Sequence, residues 1–276
     1  MNRACVAFAS VLLVTCGRSE PLIAPAPAAA NANPAVARID AALPRFRTPP
    51  ATSEPRDPRL ADAERALAAG DFGGARQILL PITADHPQAN WPRFLLALTH
   101  HEEKRYAEAR PLLEAVLDGA CTHPGLAQAF YFYGWCLQNL GELDGARAAF
   151  VAAVELESGN ADARFGLGLV EHERQEHEAA QRDLLAALEL FERVDPARDP
   201  SATADVAKAH ALLGDVAFAL DQVGEARRHL ELCVQLEPRH HEAWFRLARV
   251  LQHAGDADGA ARARATGDEW RRRLGR

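Results

Sequence analysis

The chain has 276 residues, 48% of them hydrophobic and 25% charged, with a formal net charge of −7. This is the composition of a folded protein long enough for one large domain or two ordinary ones. The negative balance argues against nucleic-acid binding, which relies on Lys and Arg to displace phosphate counterions. Five cysteines (Cys5, Cys16, Cys121, Cys136 and Cys233) form no CxxC pair and are too widely spaced for a disulfide framework.

The first element in chain order is an apolar leader. Arg3 is followed by an uncharged run from Ala4 to Thr15. As a helix that run reaches only about 18 Å, short of a bilayer core of roughly 30 Å. Residues 1–15 therefore read as a secretory signal peptide. From 16 to 57 the chain is rich in Pro and Ala and is expected to form a disordered tether, because it holds few large apolar residues to offset its ordering entropy. The exception is "ARIDAALPRF" (37–46), whose Ile39, Leu43 and Phe46 make it the one stretch able to dock on a folded body.

The body, 58–274, repeats itself with a period of 34. Aligning "GDFGGARQILLPITADHP" (70–87), "GELDGARAAFVAAVELES" (141–158) and "DQVGEARRHLELCVQLEP" (221–238) brings Ala75, Ala146 and Ala226 together. A large apolar residue follows four later (Leu79, Phe150, Leu230), and Ile82, Ala153 and Cys233 come three after that. Spacings of three and four place these residues on one helical face. A second helical pattern stands upstream, in "FYFYGWCL" (130–137), "RFGLGLVE" (164–171), "HALLGDVA" (210–217) and "WFRLARVL" (244–251). Helix pairs are thus expected in six units: 56–89, 90–123, 127–160, 161–194, 207–240 and 241–274. "THPG" (122–125) and "DPARDPSATADV" (195–206) interrupt the period as spacers.

This pattern resembles the tetratricopeptide repeat (TPR), a helix-turn-helix of 34 residues. The shared marks are an aromatic at position 4 (Phe130, Trp244) and a small residue at position 8 (Gly134, Gly168, Gly214, Ala248). Ala at position 20 and Pro at position 32 (Pro87, Pro238) complete them. The resemblance implies an all-α fold, a right-handed α-solenoid of about six repeats, in which Arg264 of the last unit marks a polar capping helix.

In that family the first helices line a concave groove. The family's offsets imply Trp91, Phe94, Leu98 and His101 from the second unit, and Tyr131, Trp135 and Gln138 from the third. Phe165, Leu169 and His172 follow from the fourth. Lys208, Asp215 and Phe218 come next, and then Arg246 and Arg249. The neighbours Phe132, Tyr133, Gly134, Cys136, Ala146 and Phe150 are assigned to packing. The family's carboxylate clamp needs Lys and Asn where this chain has Phe94 and Leu98, or Tyr131 and Trp135. An apolar peptide or an amphipathic helix is the partner that fits.

The end of the leader, "LVTC" (13–16), resembles the lipobox of bacterial lipoproteins. It implies acylation of Cys16 and a membrane anchor facing the periplasm; the alternatives are release after cleavage near Gly17, or an uncleaved anchor. The whole layout is similar to that of envelope-assembly lipoproteins.

Candidate chemistry is thin. "HERQEH" (172–177) spaces its histidines by five, which on a continuous helix turns the rings about 140° apart and away from a zinc-protease pattern. "GLGLVE" (166–171) lacks the third Gly of a dinucleotide motif and follows no strand. Cys121 and His123 share a loop, the one arrangement suggesting a thiolate–imidazole pair. No catalytic, cofactor or metal residue is assigned. The expectation is a non-enzymatic scaffold that binds a protein or peptide and no nucleic acid. The alternatives are a free periplasmic adaptor, or an accessory module of an enzyme with a Cys/His site.

Overall fold

The computed structural model describes residues 33–47 and 57–275. The leader, Cys16 and the rest of the tether lie outside the described residues. Thirteen α-helices and no strand are found among those described. Helix α1 (Pro34–Arg47) stands alone; the other twelve form antiparallel pairs. These are α2 (Leu60–Ala68) with α3 (Phe72–Asp85), α4 (Asn90–Glu102) with α5 (Tyr106–Asp118), and α6 (Gln128–Asn139) with α7 (Leu143–Leu156). Then come α8 (Ala161–Glu173) with α9 (His177–Glu192), α10 (Ala202–Ala219) with α11 (Val223–Leu236), and α12 (His241–His253) with α13 (Ala257–Arg273). No described helix is long and apolar enough to cross a membrane. The chain divides into two compact units at Ala152/Ala153, inside α7.

Four positions explain why the units form the same hairpin, with Arg264 of the last unit the exception at one of them. Position 15 turns the chain: Gly70, Lys104, Gly141, Gln175, Asp221 and Gly255 all have φ between 59° and 82°. Only glycine adopts this left-handed conformation without steric cost, so the repeat carries strain at the three non-glycine turns. Position 8 lets the helices approach closely. A Cβ on Gly134 would sit 2.9 Å from the Phe150 ring, and one on Gly168 or Gly214 would sit 2.6 Å from Leu184 or Leu230. Those large side chains all stand at position 24 and are fully buried, as are the position-20 alanines Ala75, Ala109, Ala146, Ala180 and Ala226. A large residue in the second helix thus fills the hollow left by a small one in the first.

The spacers differ in kind. Residues 122–125 run into a 3-10 turn at Pro124–Ala127, started by the Gly125 N–H donating to His123 Nδ1 at 3.1 Å. The second spacer ends five residues earlier than its boundary suggested, because α10 begins at Ala202.

The tether expectation is corrected over 34–47, which is helical. Ala35, Ile39, Ala42 and Phe46 recur at helical spacing and are buried. They dock α1 across α5, α6 and α7. Arg38 Nε meets Asp118 at 2.9 Å, and its Nη1 meets Glu114 at 3.1 Å. Arg45 donates to the Leu117 carbonyl at 2.6 Å. The Phe46 ring stands edge-on to Phe130 with centroids 5.1 Å apart. At the other end, the Cβ of Ala35 comes so close to Gly145 that any side chain there would meet it at 2.9 Å. Leu43, grouped with the docking residues in the sequence, is only half-buried.

Candidate functional site

In the N-terminal unit the first-helix face is smaller than the sequence offsets imply. Trp91, Phe94, Leu98 and His101 are all buried, at 7%, 0%, 4% and 6% exposure. This corrects their assignment to an open groove, and the cause is their neighbours. Trp91 stacks on the His123 ring at 3.8 Å, and its indole N–H donates to Glu64 at 2.9 Å. Phe132 of α6 lies edge-on to both Phe94 (5.8 Å) and His101 (5.0 Å). The 3-10 turn after the second unit and the helix after that turn seal this part of the face.

What stays accessible is on α6. Phe132, Tyr133, Gly134 and Cys136 are buried, whereas Tyr131, Trp135 and Gln138 are half-buried on the opposite side of the helix. Tyr131 and Trp135 rest on the same floor, the Phe150 ring, at 6.2 and 5.4 Å. The Trp135 Nε1–H is buried without a hydrogen-bond acceptor. An unsatisfied buried donor costs about 1–3 kcal/mol, and where one persists it calls for an explanation such as a functional role.

In the C-terminal unit, α8, α10 and α12 bring the other expected residues together. Phe165, Leu169 and His172 are half-buried. Lys208 Nζ lies 5.7 Å from the Phe165 centroid and 2.8 Å from Asp205. The Arg249 guanidinium lies 4.8 Å over Phe218. Arg246 and Arg249 converge on Asp215 at 2.8 and 3.6 Å. Burial raises the Asp215 carboxyl pKa, and the two guanidinium groups oppose that rise. Arg246 also reaches Glu242 at 3.9 Å, and Arg249 is the more exposed of the two guanidinium groups on this face.

The histidines of "HERQEH" do not diverge. His172 and His177 approach with Nδ1 to Nδ1 at 3.2 Å. Helix α8, which holds His172, ends at Glu173, the left-handed Gln175 folds the chain back, and His177 opens α9, so a continuous-helix angle does not apply. Burial and the facing His177 lower the His172 pKa. No group of three or more metal-ligating side chains is found among the described residues.

Cys121 and His123 do not form a thiolate–imidazole pair. The Cys121 thiol points at the His123 carbonyl at 3.8 Å, and burial raises its pKa. The His123 ring is committed to Trp91 and Gly125. Burial likewise pushes the Cys136 thiol up to about 12 and that of Cys233 to about 11, the behaviour of inert core cysteines.

Family models described as "Tetratricopeptide repeat" match residues 60–124, 133–203 and 207–250. The chain belongs to the tetratricopeptide-repeat family. No curated protein matches its sequence. Among solved structures, this TPR chain is similar to one from the APC/C hetero-tetramer Cut9–Hcn1, with a TM-score of 0.61 and 18% identity. That match covers 77% of this chain and 39% of the other, so the chain spans well under half of that relative's length. BtubC from P. vanneervenii aligns with a TM-score of 0.57 and 17% identity, over 87% of this chain and 91% of its own. YrrB, described as a TPR protein with an unusual peptide-binding site, aligns at 0.54 and 16%, over 70% and 91%. At these identities the similarity establishes the fold, an α-solenoid of TPR hairpins.

Proposed function

We propose that this TPR protein is an exported, lipid-anchored adaptor that binds a protein or peptide along its first-helix faces, in the service of envelope complex assembly. The observation that carries the reading is the Tyr131/Trp135 pair. Two aromatic side chains are held half-exposed on the Phe150 ring. Large, stiff aromatics of this kind dominate protein-binding energetics. The C-terminal unit adds a second patch of different character, apolar rings carrying Lys208 and Arg249, suited to a partner with apolar and acidic residues. TPR folds serve as protein-interaction scaffolds, and YrrB's described peptide-binding site supports the same use here.

Affinity capture from an envelope extract tests the adaptor role. The full chain is expected to recover a protein that a Tyr131→Ala/Trp135→Ala bait does not, and equal recovery by both baits refutes the aromatic site. The anchor rests on "LVTC" and Cys16. Cys16→Ser is expected to move the protein from the membrane to the soluble fraction, since an acylated N-terminus with two or more chains anchors durably. If fractionation does not change, Cys16 is not the anchor.

A further inference from the structure

A second surface stands out within the C-terminal unit. Across α9, α10 and α11 runs a cleft of about 430 Å³ whose apolar wall includes Leu185, Leu188, Val206, Leu232 and Leu236. Leu185 and Leu236 are 45% and 38% exposed there. Singly exposed leucines need no explanation, but two lining one cleft mark a surface with something to bury.

The repeat register says what kind of object fits. In the N-terminal unit α1 lies across α5, α6 and α7, and a spacer stands between α5 and α6. The corresponding helices around the second spacer are α9, before it, and α10 and α11, after it. Counting within the 34-residue units, Leu185 stands where Glu114 does, Leu188 where Leu117 does, and His210 where Phe130 does. Glu114, Leu117 and Phe130 are the residues that hold Arg38, Arg45 and Phe46 of α1. The same fold position thus holds a docked helix in one unit and an open cleft in the other.

The floor of the cleft differs in a way that selects its occupant. His210 Nδ1 faces His229 Nδ1 at 2.9 Å, and Arg228 Nη2 lies 3.3 Å from His229 Nε2. An arginine can only donate, so His229 Nε2 accepts. The His229 proton then sits on Nδ1 and is donated to His210, which leaves the His210 proton on Nε2. At the rim, Arg228 is more than half exposed and also pairs with Glu225 at 2.8 Å. Where the unit-one floor offers an aromatic ring to Phe46, this floor offers an imidazole N–H beside a guanidinium, and the place of Glu114 is taken by a leucine.

We propose that this cleft is a docking site for an amphipathic helix of a partner protein. The helix has an apolar stripe spaced as Ala35, Ile39, Ala42 and Phe46 are, but carries an apolar residue in place of Arg38 and a carboxylate in place of Phe46. The carboxylate accepts from His210 and Arg228, and the apolar residue covers Leu185. This surface is separate from the aromatic pair on α6, so either site can fail without the other.

A fluorescent peptide with the sequence of residues 33–47, changed by Arg38→Leu and Phe46→Glu, serves as the probe against the full chain. It is expected to bind saturably, at least tenfold more tightly than the unchanged 33–47 peptide. Leu185→Glu and His210→Phe in the full chain are each expected to weaken it tenfold or more. Leu185 is exposed, so its variant keeps the fold; far-UV circular dichroism verifies this for both. Three results would each overturn the proposal: no saturation up to about 1 mM, equal or tighter binding of the unchanged peptide, or undiminished binding to the Leu185→Glu chain.

Discussion

Replacing Phe150 by alanine is expected to lower stability by about 3–5 kcal/mol, the range for emptying a fully buried aromatic site. Phe150 is 0% exposed, and its ring fills the hollow over Gly134, where even a Cβ would meet it at 2.9 Å. In a repeat array each hairpin is supported mainly by its neighbours, and a weakened third hairpin weakens the second, whose α5 packs on α6. Urea denaturation followed by circular dichroism reads the loss as a lower midpoint. Phe150→Leu, which keeps most of the volume, is expected to cost less than Phe150→Ala. The alanine variant is also expected to bind the captured partner more weakly, because Tyr131 and Trp135 lose the ring they rest on.

The second large effect is acid lability of the C-terminal unit. His229 is 4% exposed, and burial, with Arg228 and His210 adding to it, lowers its pKa from 6.5 to about 4. The unfolded chain therefore takes up the proton first as pH falls. The contribution of neutral His229 is complete above pH 6.5 and is lost progressively between 6.5 and 4. Each pH unit in that window removes about 1.4 kcal/mol, and the loss reaches about 3 kcal/mol at the lower end. Burial and Arg228 lower His210 as well, so its own loss has the same sign. Unfolding free energies of the wild type and His229→Leu, measured from pH 7.5 to 4, are expected to differ in slope below 6.5 by this amount and to run parallel above it. Parallel curves throughout would mean that His229 is not held neutral by the fold.

The fold was readable because the repeat imposes the same three demands on every unit but the last, where Arg264 stands in the place of the large apolar residue. Small residues at positions 8 and 20 and a large one at 24 recur in the sequence, and the structure shows them packed against one another. The turn was half readable: Gly70, Gly141 and Gly255 announce a left-handed residue, whereas Lys104, Gln175 and Asp221 adopt it without any signal of their own. Helix α1 was masked by its surroundings. Its four buried apolar residues sit among Pro and Ala, and Pro44 reads as a breaker although the helix runs through it to Arg47, at the cost of the one backbone hydrogen bond that residue 44 would donate to the Asp40 carbonyl.

The exposed part of the first-helix face was legible in part. The offsets put Tyr131 and Trp135 opposite the buried side of α6, where both are half-buried, but an offset describes one helix and not what lies against it. Trp91 to His101 face the right way and are closed off by His123 and Phe132. The His210–His229 pair was missed because its members are nineteen residues apart and match no linear motif. The usable signal was a comparison of units, since His210 replaces Phe130 and His229 replaces Ala149 at equal repeat positions.

Titrating the captured partner into the wild type and into Tyr131→Ala/Trp135→Ala by calorimetry tests the central claim most directly. The double variant is expected to bind at least tenfold more weakly, about 1.4 kcal/mol, with its far-UV spectrum unchanged. Equal affinity for a variant that remains folded would contradict the claim that this protein engages its partner through α6.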